Sequence, residues 1–243
     1  MKLRSKLSIA AVALIAVLAL SGYLVRPYIP GTANLDAVRA EAAPRLEEQL
    51  TERNLSLGAP VFIRIFKASS ELELWMKDGD EFALFKTYPI CSYSGDLGPK
   101  LKEGDGQSPE GFYSVTAGQL NPNSSYHLSF NIGFPNNYDL SHGRTGSYLM
   151  VHGKCVSIGC YAMTDAGIEE IYLIVEAALE GGQSSFGVHI FPFRMTEENM
   201  ADHAGSQWIG FWRNLKEGHD LFEADKMPPR ISVEDKRYEF ENI

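Results

Sequence analysis

Residues 149–163 read Leu149-Met150-Val151-His152-Gly153-Lys154-Cys155-Val156-Ser157-Ile158-Gly159-Cys160-Tyr161-Ala162-Met163. The apolar run Ser147 to Val151 predicts a buried strand that delivers His152 at its end. A small-residue turn, Ser157-Ile158-Gly159, then presents Cys160 shortly before Thr164, a good helix N-cap. A thiol becomes a useful nucleophile once ionised, and a neighbouring imidazole and helix N-terminal dipoles lower its pKa. Gly159 lets a substrate carbonyl approach the backbone, where the amides near Cys160 can donate to a developing oxyanion. This is the arrangement that Cys–His acyl transfer requires. The same residues also admit blander readings. A lone cysteine is usually a small buried hydrophobe. A zinc site on His152, Cys155 and Cys160 lacks CxxC pairs and a convincing fourth ligand.

Working outward, the period of the pattern changes twice. Leu35, Val38, Ala42, Leu46 and Leu50 recur at helical spacing, with Pro44 expected to kink that helix or start a second one. Val61–Phe66, Leu72–Met76 and Phe82–Phe85 are short strand-like runs separated by turns such as Asp78-Gly79, which predicts a β-meander. Gly95 to Gly106 is a loop, and Ser108-Pro109-Glu110-Gly111 is a turn feeding a strand from Phe112 to Thr116. In Tyr126–Ile132 the residues alternate, with His127, Ser129 and Asn131 on one face. The favoured reading is a solvated edge face, the alternative a polar wall of a cleft. A helix is expected from Asp165 to about Leu179, stopped by Gly181-Gly182. Val188–Phe191 predicts a further strand, Thr196–Lys216 one helix, and Ile231–Phe240 a last strand. The fold class is mostly β with flanking helices (α+β).

The 243 residues carry 22 Lys+Arg against 31 Asp+Glu, a net charge of -9. That acidity argues against nucleic-acid binding, which needs a basic face. Lys2, Arg4 and Lys6 precede twelve unbroken apolar residues, Ile9 to Leu20. This start reads either as a signal peptide cut before Gly22 or as an anchor spanning residues 7–25. Both readings export everything after residue 26 to the periplasm or cell envelope. Losing residues 1–21 leaves 19 basic against 31 acidic residues, near -12. Such a body is repelled by anionic lipid, so membrane contact is expected only through the N-terminal segment. Three cysteines leave at least one free thiol, and a Cys91–Cys155 disulfide is one possibility in an oxidising compartment.

His152-Gly153 followed by Ser157-x-Gly159-Cys160 resembles the active-site signature of the YkuD-type L,D-transpeptidases, exported enzymes that remodel peptidoglycan. Ser108-Pro109-Glu110-Gly111-Phe112-Tyr113 is similar to that family's Thr-Pro-x-Gly-x-Tyr hairpin, and the likeness covers about residues 60–191. Departures are the short spacing of His152 and Cys160, Ile158 where the family commonly has His, and Ala162 where it often has Arg or Asn. The string Ser157 to Met163, with Lys100 to Gly106 upstream, looks like the YafK branch of this superfamily.

The resemblance implies an L,D-transpeptidase-like β-sandwich or barrel with an N-terminal helix and a C-terminal helical extension. Residues 1–26 are then the signal or anchor, 27–59 a linker and helix, 60–191 the catalytic domain, and 192–243 an extension packing on it. It implies Cys160 as nucleophile and His152 as general base and acid. The Gly153 carbonyl orients the imidazole, and Ser157 and Gly159 support the oxyanion site. The implied substrate is a peptidoglycan stem peptide, attacked at a diaminopimelate residue to give a thioester. An amine acceptor completes transpeptidation; alternatively, water hydrolyses the link between murein and its lipoprotein. No metal or organic cofactor is needed. A non-catalytic peptidoglycan-binding module is the reading from another class.

Overall fold

The computed structural model describes residues 31–242, so the signal or anchor reading of residues 1–26 lies outside the described residues. After β1 (Gly31–Thr32), α1 (Leu35–Thr51) is a single helix with Pro44 inside it, on its exposed side. Of the two expectations for Pro44, a kink or a second helix, the second is not met. Asn34 caps α1 by accepting from the Ala37 amide, and Val38, Ala42, Leu46 and Leu50 form its buried stripe. β2 (Val61–Phe66), β3 (Glu71–Asp78) and β4 (Glu81–Pro89) are the expected meander. β5 (Ser92–Tyr93), β6 (Gly111–Val115), β7 (Leu120–Asn121), β8 (Tyr126–His127) and β9 (Ser129–Asn131) follow, then the short α2 (Asn137–Ser141). β10 (Met150–His152) and β11 (Tyr161–Ala162) carry the quoted stretch, and α3 (Asp165–Glu180) begins at its Thr164 cap. β12 (Phe186–Phe191), α4 (Glu197–Asp202), α5 (Ile209–Asp225), β13 (Arg230–Glu234) and β14 (Arg237–Glu241) complete the chain.

Two five-stranded sheets form the body, ordered β4-β3-β2-β12-β6 and β5-β11-β10-β9-β7. In the first, β2 is buried along its whole length because both faces are covered. Val61, Ile63 and Ile65 join the main core, shared with Phe130, Val151 and Tyr161 of the second sheet and with the buried sides of α1 and α3. Phe66, on the opposite face, packs in a cluster with Trp212 of α5 and Tyr238 of β14. The α+β fold class expected from the sequence is the observed one. Among the described residues, no helix is long and apolar enough to cross a membrane.

Three expectations are corrected. The C-terminal helix is two helices, because Gly205 and Ser206 lie in a turn between α4 and α5. The last strand is a hairpin, since Asp235 and Lys236 adopt the positive φ values (45° and 61°) that a tight turn demands. The polar alternation of residues 126–132 is not a solvated edge. His127 sits at φ 72°, breaking the run into β8 and β9, and Ser129 is buried between β7 and β10.

Candidate active site

β10 and β11 lie side by side and parallel, with Val151 opposite Tyr161 and His152 opposite Ala162. Extending that register by one residue sets Cys160 opposite Met150. Side chains two apart share a face of a strand, so His152, Met150 and Cys160 look out on the same side. They line one open cleft of about 410 Å³ with Asn121, Ser129 and Ser157 among its other walls. The rim is apolar: Tyr148 and Ile158 are 78% and 89% exposed.

His152 is nearly buried, and its Nδ1 stands 2.6 Å from the Gly153 carbonyl oxygen. A carbonyl only accepts, so Nδ1 carries the proton and Nε2 keeps a lone pair in the neutral ring. Burial lowers the imidazole pKa, while the Gly153 carbonyl pulls the other way. Gly153 has no room for a side chain: a Cβ there would meet Asp165 Oδ1 at 2.8 Å, His127 Cβ at 2.9 Å and the Tyr126 carbonyl at 3.1 Å.

The Cys160 sulfur accepts from the Met150 amide at 3.4 Å and approaches the Tyr148 carbonyl at 3.8 Å. Burial pushes its pKa up, against the Met150 N–H and the more distant charge of Lys100. This corrects the lowered pKa expected from sequence. Both shifts favour the uncharged forms, on two groups that line one cleft.

Behind the sulfur the backbone is tied down from several directions. The Cys160 carbonyl accepts from Ser157 Oγ at 2.7 Å and from Ser108 Oγ at 3.0 Å. Gly159, at φ 97°, donates its amide to Ser94 Oγ at 2.5 Å. That amide is thus committed within the protein, whereas the Cys160 N–H meets no acceptor among the described residues. Cys91 and Cys155 form a disulfide that fastens the loop between His152 and Cys160 to the segment before β5. Cys155 is thereby spent, and Cys160 is the free thiol.

Sequence reasoning missed the brace under Ser108. Lys67, fully buried at the end of β2, bonds Glu110 at 3.0 Å and the carbonyls of Asp96, Gly98 and Ser108. Glu110 also accepts from Trp212 Nε1 of α5 at 2.8 Å. The signal was a Glu inside the Ser-Pro-Glu-Gly turn, a poor place for a charge without a buried partner. The remaining histidines stay outside the cleft. His127 bonds Glu169 at 2.6 Å, His142 meets the Lys236 carbonyl, and His189 is buried behind the first sheet.

Residues 60–189 match the YkuD family, the L,D-transpeptidase catalytic domain. The chain belongs to that family. Two relatives, named "Putative L,D-transpeptidase YafK" in Escherichia coli strain K12 and O157:H7, are 54% identical over 182 residues, 75% of this chain and 74% of each relative. Among solved structures, this L,D-transpeptidase family member is similar to the helical cell shape determining protein Pgp2 of Campylobacter jejuni. That match has 15% identity and a TM-score of 0.44, and covers 78% of this chain and 80% of the other. The K307A mutant of Pgp2 matches at 16% identity and TM-score 0.45, and there the chain spans 63% of the other protein. At those scores the structural likeness adds nothing to the assignment, which rests on the family match and the YafK relatives.

Proposed function

We propose that this chain is an exported cell-wall cysteine acyltransferase that acts on peptidoglycan stem peptides. His152 Nε2 takes the thiol proton of Cys160, and the sulfur attacks the carbonyl of a diaminopimelate-type residue. The negative charge that develops on that carbonyl oxygen is met by the Cys160 N–H, since Gly159 has given its amide to Ser94. The imidazolium then protonates the leaving amine, and a thioester remains on Cys160. An amine acceptor, losing its proton to His152, resolves the thioester and completes L,D-transpeptidation. Ser157 and Ser108 serve by fixing the Cys160 peptide plane.

The observation that carries this reading is that His152, its Nδ1 held at 2.6 Å by the Gly153 carbonyl, lines the same open cleft as Cys160. The test is to incubate purified protein with a carbapenem and weigh it. One adduct is expected, lost in Cys160→Ala and retained in Cys91→Ala; an unmodified wild-type protein rules the reading out.

One observation favours hydrolysis of the murein–lipoprotein link as a second reading. Among the described residues the cleft lining contains no Arg or Lys, so none of them offers a cation to a free carboxylate on the leaving residue. A leaving amine that belongs to a polypeptide needs no such anchor. Digestion of treated sacculi separates the two: new diaminopimelate–diaminopimelate links mean transpeptidation, and freed lipoprotein means hydrolysis.

A further inference from the structure

The C-terminal hairpin leaves one row of backbone groups unpaired, and its neighbours fix the direction of that row. Tyr238 of β14 donates its amide to Asn214 Oδ1 and accepts at its carbonyl from Asn214 Nδ2, both at 2.9 Å. Its backbone therefore points to α5 and away from β13. Residues opposite each other in an antiparallel pair alternate between bonding each other and facing outwards. Val233, opposite Tyr238, and Ile231, opposite Phe240, are then the outward-facing residues of β13. The tight turn at Asp235 and Lys236 gives the same phase, since Glu234 and Arg237 close it. Among the described residues β13 has no second strand beside it, and the outward groups of Ile231 and Val233 meet no backbone partner. The nearby edge of β6 is treated differently: the Phe112 N–H and carbonyl are met by Tyr238 Oη and Asn136 Nδ2.

The open edge borders a cavity of about 630 Å³, which shares no lining residue with the Cys160 cleft. Pro228 to Val233 line it without a break, the exposed Arg230 and Ser232 as well as the half-buried Ile231 and Val233. Successive side chains of a strand point to opposite faces, so a cavity that touches all of them runs along the edge of β13 rather than over one face. The far wall is the end of the first sheet, with Ser114 of β6 and His189 of β12. His189 is 4% exposed, and its Nδ1 has no hydrogen-bond partner among the described residues. Burial first, and then the Arg64 charge, hold its pKa down to about 3, so the ring is neutral near pH 7. A neutral imidazole pairs well with an amide N–H or C=O, the groups that a peptide backbone carries. Arg230 is the one charged residue among the described lining, held only by an exposed Glu241 at 3.8 Å. On a chain of net charge -9, a slot bordered by a cation and no acid suits an acidic occupant.

We propose that this slot docks an extended, acidic polypeptide segment of a partner protein, which pairs main chain to main chain with Ile231 and Val233 of β13 and sets a carboxylate against Arg230. Unpaired sheet edges recruit extended segments in this way. Pro228 and Pro229 have no N–H, so the pairing ends at Arg230. The slot lies apart from the cleft, and its test is independent of the acyltransferase reading.

The experiment titrates the isotope-labelled protein with the peptide acetyl-Glu-Thr-Val-Thr-Val-Thr-Glu-amide and follows backbone amide shifts by NMR. The Ile231 and Val233 signals should move and saturate with a Kd below about 1 mM, while the Cys160 signal stays in place. The same peptide N-methylated at every residue cannot donate to β13 and should bind at least about ten-fold more weakly. Val233→Pro removes one outward N–H and no ladder bond to β14. It should weaken binding about five-fold with little change in melting temperature. Arg230→Gln, on a side chain that is 73% exposed, should weaken binding about three-fold, and raising the salt to about 0.5 M should do the same to the wild type. Unmoved β13 signals, or an N-methylated peptide that binds as well as its parent, overturn the proposal. So does movement of those signals by tri-N-acetylchitotriose but not by the peptide, which would make the slot a glycan site.

Discussion

The two five-stranded sheets are built on different principles. Strands of the β4-β3-β2-β12-β6 sheet run five to nine residues and hold their register through long ladders. Strands of the β5-β11-β10-β9-β7 sheet have only two or three residues. Around this second sheet lie His127, Tyr148, Lys154 and Cys155, all non-glycine residues with positive φ, a conformation that costs roughly 1–3 kcal/mol each. Ladders this short cannot hold such backbone in place. A disulfide, two serine hydroxyls on one carbonyl and the Lys67 brace do so instead. The first sheet gets its rigidity from repetition and the second from single ties, so the second is where single changes should tell.

The joint between the sheets should show the largest effect. Lys67→Met leaves Glu110 buried without its cation, with an expected loss of about 3–5 kcal/mol by urea unfolding. Lys67→Met with Glu110→Gln should recover much of it, and an equal loss in single and double variants would mean that the ion pair is not what matters. Next is the disulfide. Cys91→Ala should cost about 2–4 kcal/mol, and hydrogen exchange should show protection lost in β10 and β11 but kept in β2, β3 and β12. Uniform loss across both sheets would break the comparison.

Gly153→Ala tests the contact behind the base. Forcing a Cβ against Asp165 and Tyr126 should cost about 1–3 kcal/mol, and a base displaced by ~1 Å should cut Cys160 acylation about 100-fold. Full acylation in a destabilised variant would show that the Gly153 carbonyl does not set the ring. The smallest effect concerns the clamp on Lys100. Burial raises the Asp105 pKa, but the Lys100 bond and three backbone amides outweigh it and hold it down to about 2. A depressed carboxylate stabilises above its unfolded pKa near 3.8 and loses that contribution as pH falls towards about 2. Asp105→Asn should therefore flatten the acid limb of the stability profile between those values and leave it unaltered at pH 7 apart from a constant offset.

Some of this was legible residue by residue. The meander of β2 to β4 and the Thr164 cap and Gly181 stop of α3 follow from local periodicity and turn chemistry, which act over a few residues. The His-Gly and Ser-x-Gly-Cys strings located the cleft for the same reason. The split of residues 126–131 did not show, because alternation was intact and nothing in the local pattern marks the positive φ of His127. The sequence suggests an activated thiol because a histidine and a helix lie near it along the chain. Burial raises its pKa instead, and burial is set by packing that local periodicity does not show.

From its sequence alone, then, the chain determined most of its strands and helices, the family they build and which thiol and imidazole share one short stretch of chain. Those properties depend on neighbours within a turn or a strand. Only the tertiary structure decided that Ser129 faces His152, that Gly159 has no amide to offer a substrate, and that Lys67, Glu110 and Trp212 brace the site from three separate elements. Each of these is a matter of register or burial, set by which remote strands pair, and a one-residue slip in β9 would turn every side chain on it to the other face.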